Sequence, residues 1–335
     1  MSNARLHRNI LPRGRNACIG LVSVAVAMVA PAKAGQAEAS YPAQNITFVV
    51  SFAAGGIADV VARLVGQRLS ERLGQPVVVE NRVGAGGNLA AKSVAAAAPD
   101  GYTILATTSA LAVSETASRN KGFSTNDLDV VAIVAISPDV LAVHPANPAR
   151  DLKEFIAAAR TRSFTYGSAG VGTAPHIGAE YFFQVVAKVN AVHVPFTGGA
   201  PAVAAAVGNH VDAIVLTLPT VTPQINQGGL RGLGLASVRR NSSVPDVPTY
   251  GEMGYPDIYS GSWVGFFAPA KTPAAVLTRL NDEINAIMQS DEAQSKLKVL
   301  GFDPIIKSQS DATAYFRADV VTWGKMTRAV GLAAE

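Results

Sequence analysis

The 335-residue sequence contains one cysteine, Cys18, so neither a disulfide framework nor a thiolate metal site can be built from it. Charge is scarce, with Asp, Glu, Lys and Arg at 16% of residues, and aromatics make up only 7%. The chain is still not of the disordered kind, because 49% of it is hydrophobic, enough for the cores of two domains at this length. No apolar run reaches membrane-spanning length: the 14 residues from Ala17 to Ala30 fall short of the roughly 20 that a transmembrane helix needs. Beyond residue 34 there are four histidines, His144, His176, His193 and His210, with no pair at metal-ligand helical spacing. No Gly-Lys-Ser/Thr phosphate loop is present, and Gly84-Ala85-Gly86-Gly87 lacks the spacing of a dinucleotide fingerprint. No metal and no cofactor are therefore expected.

What charge there is lies unevenly. A formal net charge of +4 and a pI of about 9.2 suggest a nucleic-acid or anionic-membrane partner. Yet Arg5, Arg8, Arg13 and Arg15 precede the apolar run with no acid among them, and Pro31 and Ala32-Lys33-Ala34 follow it. This basic start, apolar middle and small-residue end form a secretory signal over residues 1–34, cleaved before Gly35. Cys18 stands at the start of the apolar run rather than its end, which argues against lipidation. Cleavage removes five basic residues and no acidic ones, leaving 23 positive against 24 negative side chains. The expected product is periplasmic, near neutral and without cysteine, and it does not bind nucleic acid.

The remainder alternates short β-rich runs with helical patterns, the signature of α/β layers with mostly parallel sheets. Ile46–Val50 reads as a buried strand. A helix follows from Ile57 to Leu73, its apolar positions keeping a helical period, closed by Gly74 and Pro76. Val77–Val79 is the next strand, and the glycine-rich turn 81–87 leads into a helix from Leu89 to Ala98. Strand, glycine-rich loop and helix start recur at Phe164–Tyr166, Gly167–Gly172 and Thr173–Val186. Amphipathic helices are expected over 274–300 and 312–330, and Trp263, Phe266 and Phe267 on a core strand.

The loops at Ala53–Gly56 and Gly167–Gly172 each precede a helix, whose start exposes unpaired N–H groups and the positive end of the helix dipole. Gly55, Gly56, Ile57 and Ala58 would present amides to an anion, and Ser168 and Thr173 would add hydroxyls. Neither loop holds a lysine or arginine before its helix, which suits carboxylates better than phosphates. Alternatively, the glycines serve only to make tight strand-to-helix turns. Asp59 reads as a brace for the loop rather than a base. Three histidines read as structural, while His176 stands on the first turn of the second helix. Ser168 is not in a nucleophile elbow, because Tyr166 occupies the place of the first glycine.

Together these segments resemble the periplasmic substrate-binding proteins of tripartite tricarboxylate transporters, the Bug family. The resemblance is carried by Phe48–Val50 through Gly55-Gly56 to Asp59 and Ala62-Arg63, by 73–82 with Gly84–Asn88, and by Pro99–Thr103. Gly172-Thr173 with His176, His193–Phe196 with Gly198, Ala200-Pro201, Val247–Thr249, Phe267–Pro269 and Thr272-Pro273 continue it, over about residues 41 to 335. It implies an α/β, two-lobed periplasmic-binding fold of type II with a hinge of two crossover strands and a ligand cleft between the lobes. One lobe would comprise 41–142 and 263–335, the other 143–262. It further implies a receptor, not an enzyme, that binds a small organic carboxylate and delivers it to the large and small membrane subunits of such a transporter; the alternatives are a ligand-sensing periplasmic partner of a membrane signalling protein and an exported enzyme on the same fold.

By the same resemblance the ligand-binding residues would be Phe52, Ala53, Ala54, Gly55, Gly56 and Asp59, then Thr108 and Ser109, then Ser168, Gly172, Thr173 and His176, with Phe196, Thr197 and Gly198. Where the family commonly has Tyr-Lys-Gly this chain has Phe196-Thr197-Gly198, and Leu216 stands where an Asp is frequent. Both departures remove polar groups from the expected cleft, which suggests a less polar carboxylate, such as an aromatic acid, rather than citrate or a short amino-acid dicarboxylate; Thr197 and Leu216 could equally face away from it.

Overall fold

The computed structural model describes residues 41–256 and 258–334; the leader expected over 1–34 lies outside them. In chain order the elements are β1 (Ile46–Val50), α1 (Ile57–Leu73), β2 (Val77–Asn81), α2 (Asn88–Ala95), β3 (Thr103–Thr108), α3 (Ala110–Ala117) and β4 (Leu128–Val143). They continue with α4 (Leu152–Ala159), β5 (Phe164–Ser168), α5 (Ala174–Glu180), β6 (Ala191–Pro195), α6 (Gly199–Val207), β7 (Ala213–Thr217), α7 (Leu218–Asn226) and β8 (Arg231–Leu235). The chain ends with β9 (Gly261–Pro269), α8 (Ala274–Met288), α9 (Asp291–Leu300), β10 (Asp303–Pro304) and α10 (Gln309–Ala329).

The strands run in the order β2-β1-β3-β9-β4-β7-β5-β6, with β8 and β10 pairing additionally to β4. β1 is parallel to β2 and β3, and β5 is parallel to β6 and β7. β9 is antiparallel to β3 and to β4. The long strand β4 belongs to both parts: Leu128–Pro138 pair with β9, and Asp139–Ala142 pair with β7. The chain crosses between the two sheet parts twice, within β4 at Pro138-Asp139 and again at Ser260-Gly261 on entering β9.

The inner parallel strand β1 is buried along nearly its whole length, whereas the edge strands β2 and β6 carry Glu80, Asn81 and His193 and are partly exposed. Ile46, Phe48 and Val50 are fully buried, joined by Ile104, Ala106, Val264 and Phe266 in one core. A separate core gathers Tyr166, Phe164, Phe183, Val215 and Leu233 around the second sheet part. Burying each large apolar side chain contributes about 1.5–3 kcal/mol. α1 spans the residues expected, ends on Gly74 in the left-handed conformation (φ 66°), and packs so closely on β2 that a Cβ at Gly66 would lie 3.2 Å from Val77 Cγ1.

Two helices depart from the sequence reading. The run 274–300 is not one helix: Ser290 caps a new one, its hydroxyl accepting from the Ala293 N–H, and so divides α8 from α9. The helix from 173 loses its α-helical pitch after Glu180 and widens to a π-helical stretch, Tyr181–Ala187, that ends on left-handed Lys188. Among the described residues no helix is long and apolar enough to cross a membrane.

Candidate functional site

The first glycine loop leaves β1 at Ser51, whose hydroxyl donates to Thr107 Oγ1 at 2.8 Å. Phe52 follows, then the exposed Ala53–Gly55, and α1 starts behind Gly56. Asp59 fastens this loop. Its Oδ2 accepts from the Gly55 N–H at 2.9 Å and from Arg63 Nε at 3.0 Å, and its Oδ1 accepts from Asn81 Nδ2 at 2.9 Å. Asn81 Nδ2 also donates to the Phe52 carbonyl. Burial would raise the Asp59 carboxyl, but the bonds from Arg63, Gly55 and Asn81 outweigh it and hold the pKa below 3.8.

That bracing changes the expected amide set. The Gly55 N–H is taken by Asp59, and the Gly56 N–H donates to the Ala53 carbonyl at 3.1 Å. Ile57 and Ala58 keep first-turn amides, and no side chain caps the helix.

The second loop is tied more tightly. Ser168 is fully buried, 2.6 Å from His193 Nε2, and its Oγ accepts from the Gly170 N–H at 3.2 Å. Thr173 Oγ1 donates to the Gly170 carbonyl at 2.8 Å. His176, almost fully buried, accepts from the Gly172 N–H through Nδ1 and stacks on His193 with ring centroids 4.0 Å apart. Burial pushes both imidazoles down to about 4, and for His176 the neighbouring ring adds to the effect. Both rings are thus neutral at pH 7. A Ser–His pair at this distance has the form of a nucleophile and its base, but Ser168 is closed off from solvent and a base at about 4 has little proton affinity at neutral pH. Here the pair shapes the loop.

Thr108 and Ser109 are buried at the end of β3. Ser109 Oγ lies 2.8 Å from Ser262 Oγ, which ties β3 to the start of β9 beside the second crossing. Asp139 sits within the crossing itself, 1% exposed. It accepts from Ser260 Oγ at 2.5 Å and from Thr217 Oγ1 at 3.3 Å, and burial pushes its pKa up to about 7 despite both bonds. Leu216, on β7, belongs to a core with Val140, Ala202 and Leu235, so its apolar side chain does not bear on the cleft.

Loops from both sheet parts line one cleft with a volume of ≈ 710 Å³. One wall is Ser51, Phe52, the turn Val83–Gly87, the α2 residues Asn88, Leu89 and Lys92, and Ser118, Asn120 and Lys121 beyond α3; the other is Ala169–Val171, Thr173, Phe196 and Thr197. The walls come near each other where a Cβ on Gly86 would stand 3.7 Å from the Val171 carbonyl oxygen. Gly86 has φ 64° and its neighbour Ala85 φ 49°, a left-handed run that brings backbone rather than side chains to this point.

Of the residues expected to bind, Phe52, Thr173, Phe196 and Thr197 line this cleft. Asp59, Ser168, Gly172 and His176 stand behind it as braces for the two loops. Ala53, Ala54, Gly55 and Gly56 form the adjoining loop, Thr108 and Ser109 join β3 to the crossing, and Gly198 precedes α6. The sequence reads 84–87 as part of a glycine-rich turn and assigns no binding role to it or to the Asn88–Lys92 face. The available signal was a pair of polar residues four apart, on one side of an otherwise alanine-rich helix. Among the described residues no group of three or more His, Cys, Asp or Glu could hold a metal ion.

Residues 61–332 match the family of tripartite tricarboxylate transporter family receptors, TctC. The chain belongs to the TctC family. It is 32% identical to the protein BugT of Bordetella pertussis, over 94% of this chain and 97% of BugT. The structure of R. palustris Rpa4515 with adipate is similar at a TM-score of 0.83 and 31% identity, covering 88% of this chain and 99% of that one. MatC from Rhodopseudomonas palustris with bound malate is similar at a TM-score of 0.79 and 29% identity, covering 85% and 99%. The TctC architecture is the two-lobed periplasmic-binding fold, and this chain is a solute-binding receptor of that kind.

Proposed function

We propose that this TctC receptor binds a small organic carboxylate in the cleft between its two sheet parts and hands it to the membrane subunits of a tripartite transporter. Lobes 41–142 with 263–335 and 143–262 close over the ligand by bending at the crossings, Pro138-Asp139 and Ser260-Gly261. The leader over residues 1–34 exports the protein to the periplasm, where it works without turnover and without a cofactor.

The observation that carries this reading is the cleft wall: it holds hydroxyls, amide side chains and lysines, and no Asp or Glu. Such a wall attracts anions, and the loops beside it keep the first-turn amides of Ile57 and Ala58. The adipate and malate carried by the two similar structures are of the same chemical class. Thr197 supplies the hydroxyl placed to hold a carboxylate, Thr173 lines the same wall with its own hydroxyl given to the Gly170 carbonyl, and Phe52 and Phe196 give the cleft apolar surface for a carbon skeleton. That surface also suits the aromatic acid suggested by the Phe196-Thr197-Gly198 segment.

A thermal-shift screen against aliphatic mono-, di- and tricarboxylates, benzoate, sugars and inorganic cations tests the reading. A ligand at 100 times its Kd adds about 2.7 kcal/mol of stability, which raises the melting temperature measurably. A shift with a sugar or cation and with no carboxylate refutes it, and conversion of a bound acid in the same sample refutes the non-enzymatic role.

A further inference from the structure

The cleft wall carries two cations, and they are in different states. The Lys121 ammonium is paired with Glu115 and lies over the Phe123 ring, 4.9 Å from its centroid. That charge is already compensated. Lys92 makes no salt bridge and no hydrogen bond among the described residues, and its ammonium reaches over the backbone at Gly122, where a Cβ would be 2.9 Å from Nζ. Since no Asp or Glu lines the cleft, the Lys92 charge has no counter-ion there.

Its surroundings have the chemistry of an anion pole. Asn88 lies one turn before Lys92 on the same face of α2, and Asn120 lines the same wall. Leu89, 49% exposed, shares that helix face, and across the cleft Val171 is 64% exposed. Large apolar side chains left this open beside an uncompensated ammonium suit a ligand that is apolar over part of its length and charged at its end. Thr197, which holds the carboxylate in the reading above, stands on the opposite wall from Lys92.

We infer that Lys92 pairs with a second anionic group of the ligand, so that it selects dicarboxylates with an apolar spacer over monocarboxylates of the same length. This rests on the carboxylate-receptor reading and adds to it the residue that counts the ligand's charges. An ion pair at this exposed position is worth up to about a fivefold preference, and it weakens as salt rises because exposed charges are screened.

Calorimetric titration of the purified protein with matched acids tests the inference: butanoate and succinate, hexanoate and adipate, octanoate and suberate, at low and high salt. The wild type is expected to favour the diacid within the pair it binds best. Lys92→Gln should weaken that diacid about two- to fivefold and the monoacid by less than that, while Lys92→Arg keeps most of the preference. Gln holds the helix nearly as well as Lys, so both variants fold. Equal weakening of both acids, or of neither, by Lys92→Gln overturns the role of Lys92 and leaves the receptor reading standing. Absence of binding by all six acids to the wild type overturns the role of Lys92, and the receptor reading falls as well only if benzoate, malate and citrate also fail to bind.

Discussion

Replacing Asp139 by Asn should make the protein more stable, and increasingly so as the pH rises. The carboxyl is buried at the crossing between the sheet parts, and burial lifts its pKa from 3.8 to about 7. A folded pKa above the unfolded one means that the native state holds the proton more tightly. The group's stabilising contribution is therefore full below 3.8 and is lost as pH climbs through about 7. Linkage gives the size of the loss: about 1.7 kcal/mol by pH 5 and about 4 kcal/mol by pH 8, so about 2 to 3 kcal/mol falls between them. Asn copies the shape of the neutral acid, and Ser260 and Thr217 are hydroxyls that can donate or accept, so both contacts with residue 139 survive the exchange. Urea melts of wild type and Asp139→Asn at pH 5, 6, 7 and 8 measure the difference directly, provided the slope m stays constant. A gain that is flat with pH refutes the reasoning, as does a loss at every pH. A flat gain would mean that Asp139 has the same pKa folded and unfolded, and a loss at every pH that the amide does not fit the site.

Three further outcomes are expected. Asp59→Ala should cost about 2 kcal/mol by stranding the partly buried contacts of Gly55, Arg63 and Asn81, and should raise the protease sensitivity of Ala53–Gly56; unchanged stability and digestion would make the brace idle. Because the Asp59 pKa is depressed, its support is present above 3.8 and disappears as pH falls through the lower folded value, so acid melts of wild type and variant should converge there. His176, moved from 6.5 to about 4, supports the fold fully above 6.5 and loses about 2 kcal/mol by pH 5; His176→Asn, which keeps an acceptor for the Gly172 N–H, should flatten that part of the pH profile, and an unchanged slope refutes it.

Local signals were read well where a residue acts on its own segment. Gly74 ends α1 by the left-handed turn that its position in the sequence suggests, and the apolar stretch Ile46–Val50 is buried because parallel strands bury both faces. What escaped depends on distant parts of the chain. The amides of Gly55 and Gly56 look available until Asp59 and Ala53 take them. Leu216 looks like a cleft substitution until β7 turns it into a core with Val140 and Leu235. Lys92 and Val171 meet across a cleft although 79 positions separate them, and no periodicity within α2 could announce the opposite wall. The break at Ser290 is legible in principle, since a serine before two acids is a capping signal, but the apolar period runs on across it and masks the signal.

The pairing of β9 with both β3 and β4 has a consequence for how the molecule is made. β9 begins 153 positions after β3 ends, and all of β5 to β8 is synthesised between them. Until β9 emerges, β3 and the first portion of β4 present bare edges with nothing to zip against, while the intervening strands already have their partners among themselves and in the far end of β4. The earlier-made half must therefore be finished last. This long-range closure makes for slow, non-local folding with sticky intermediates.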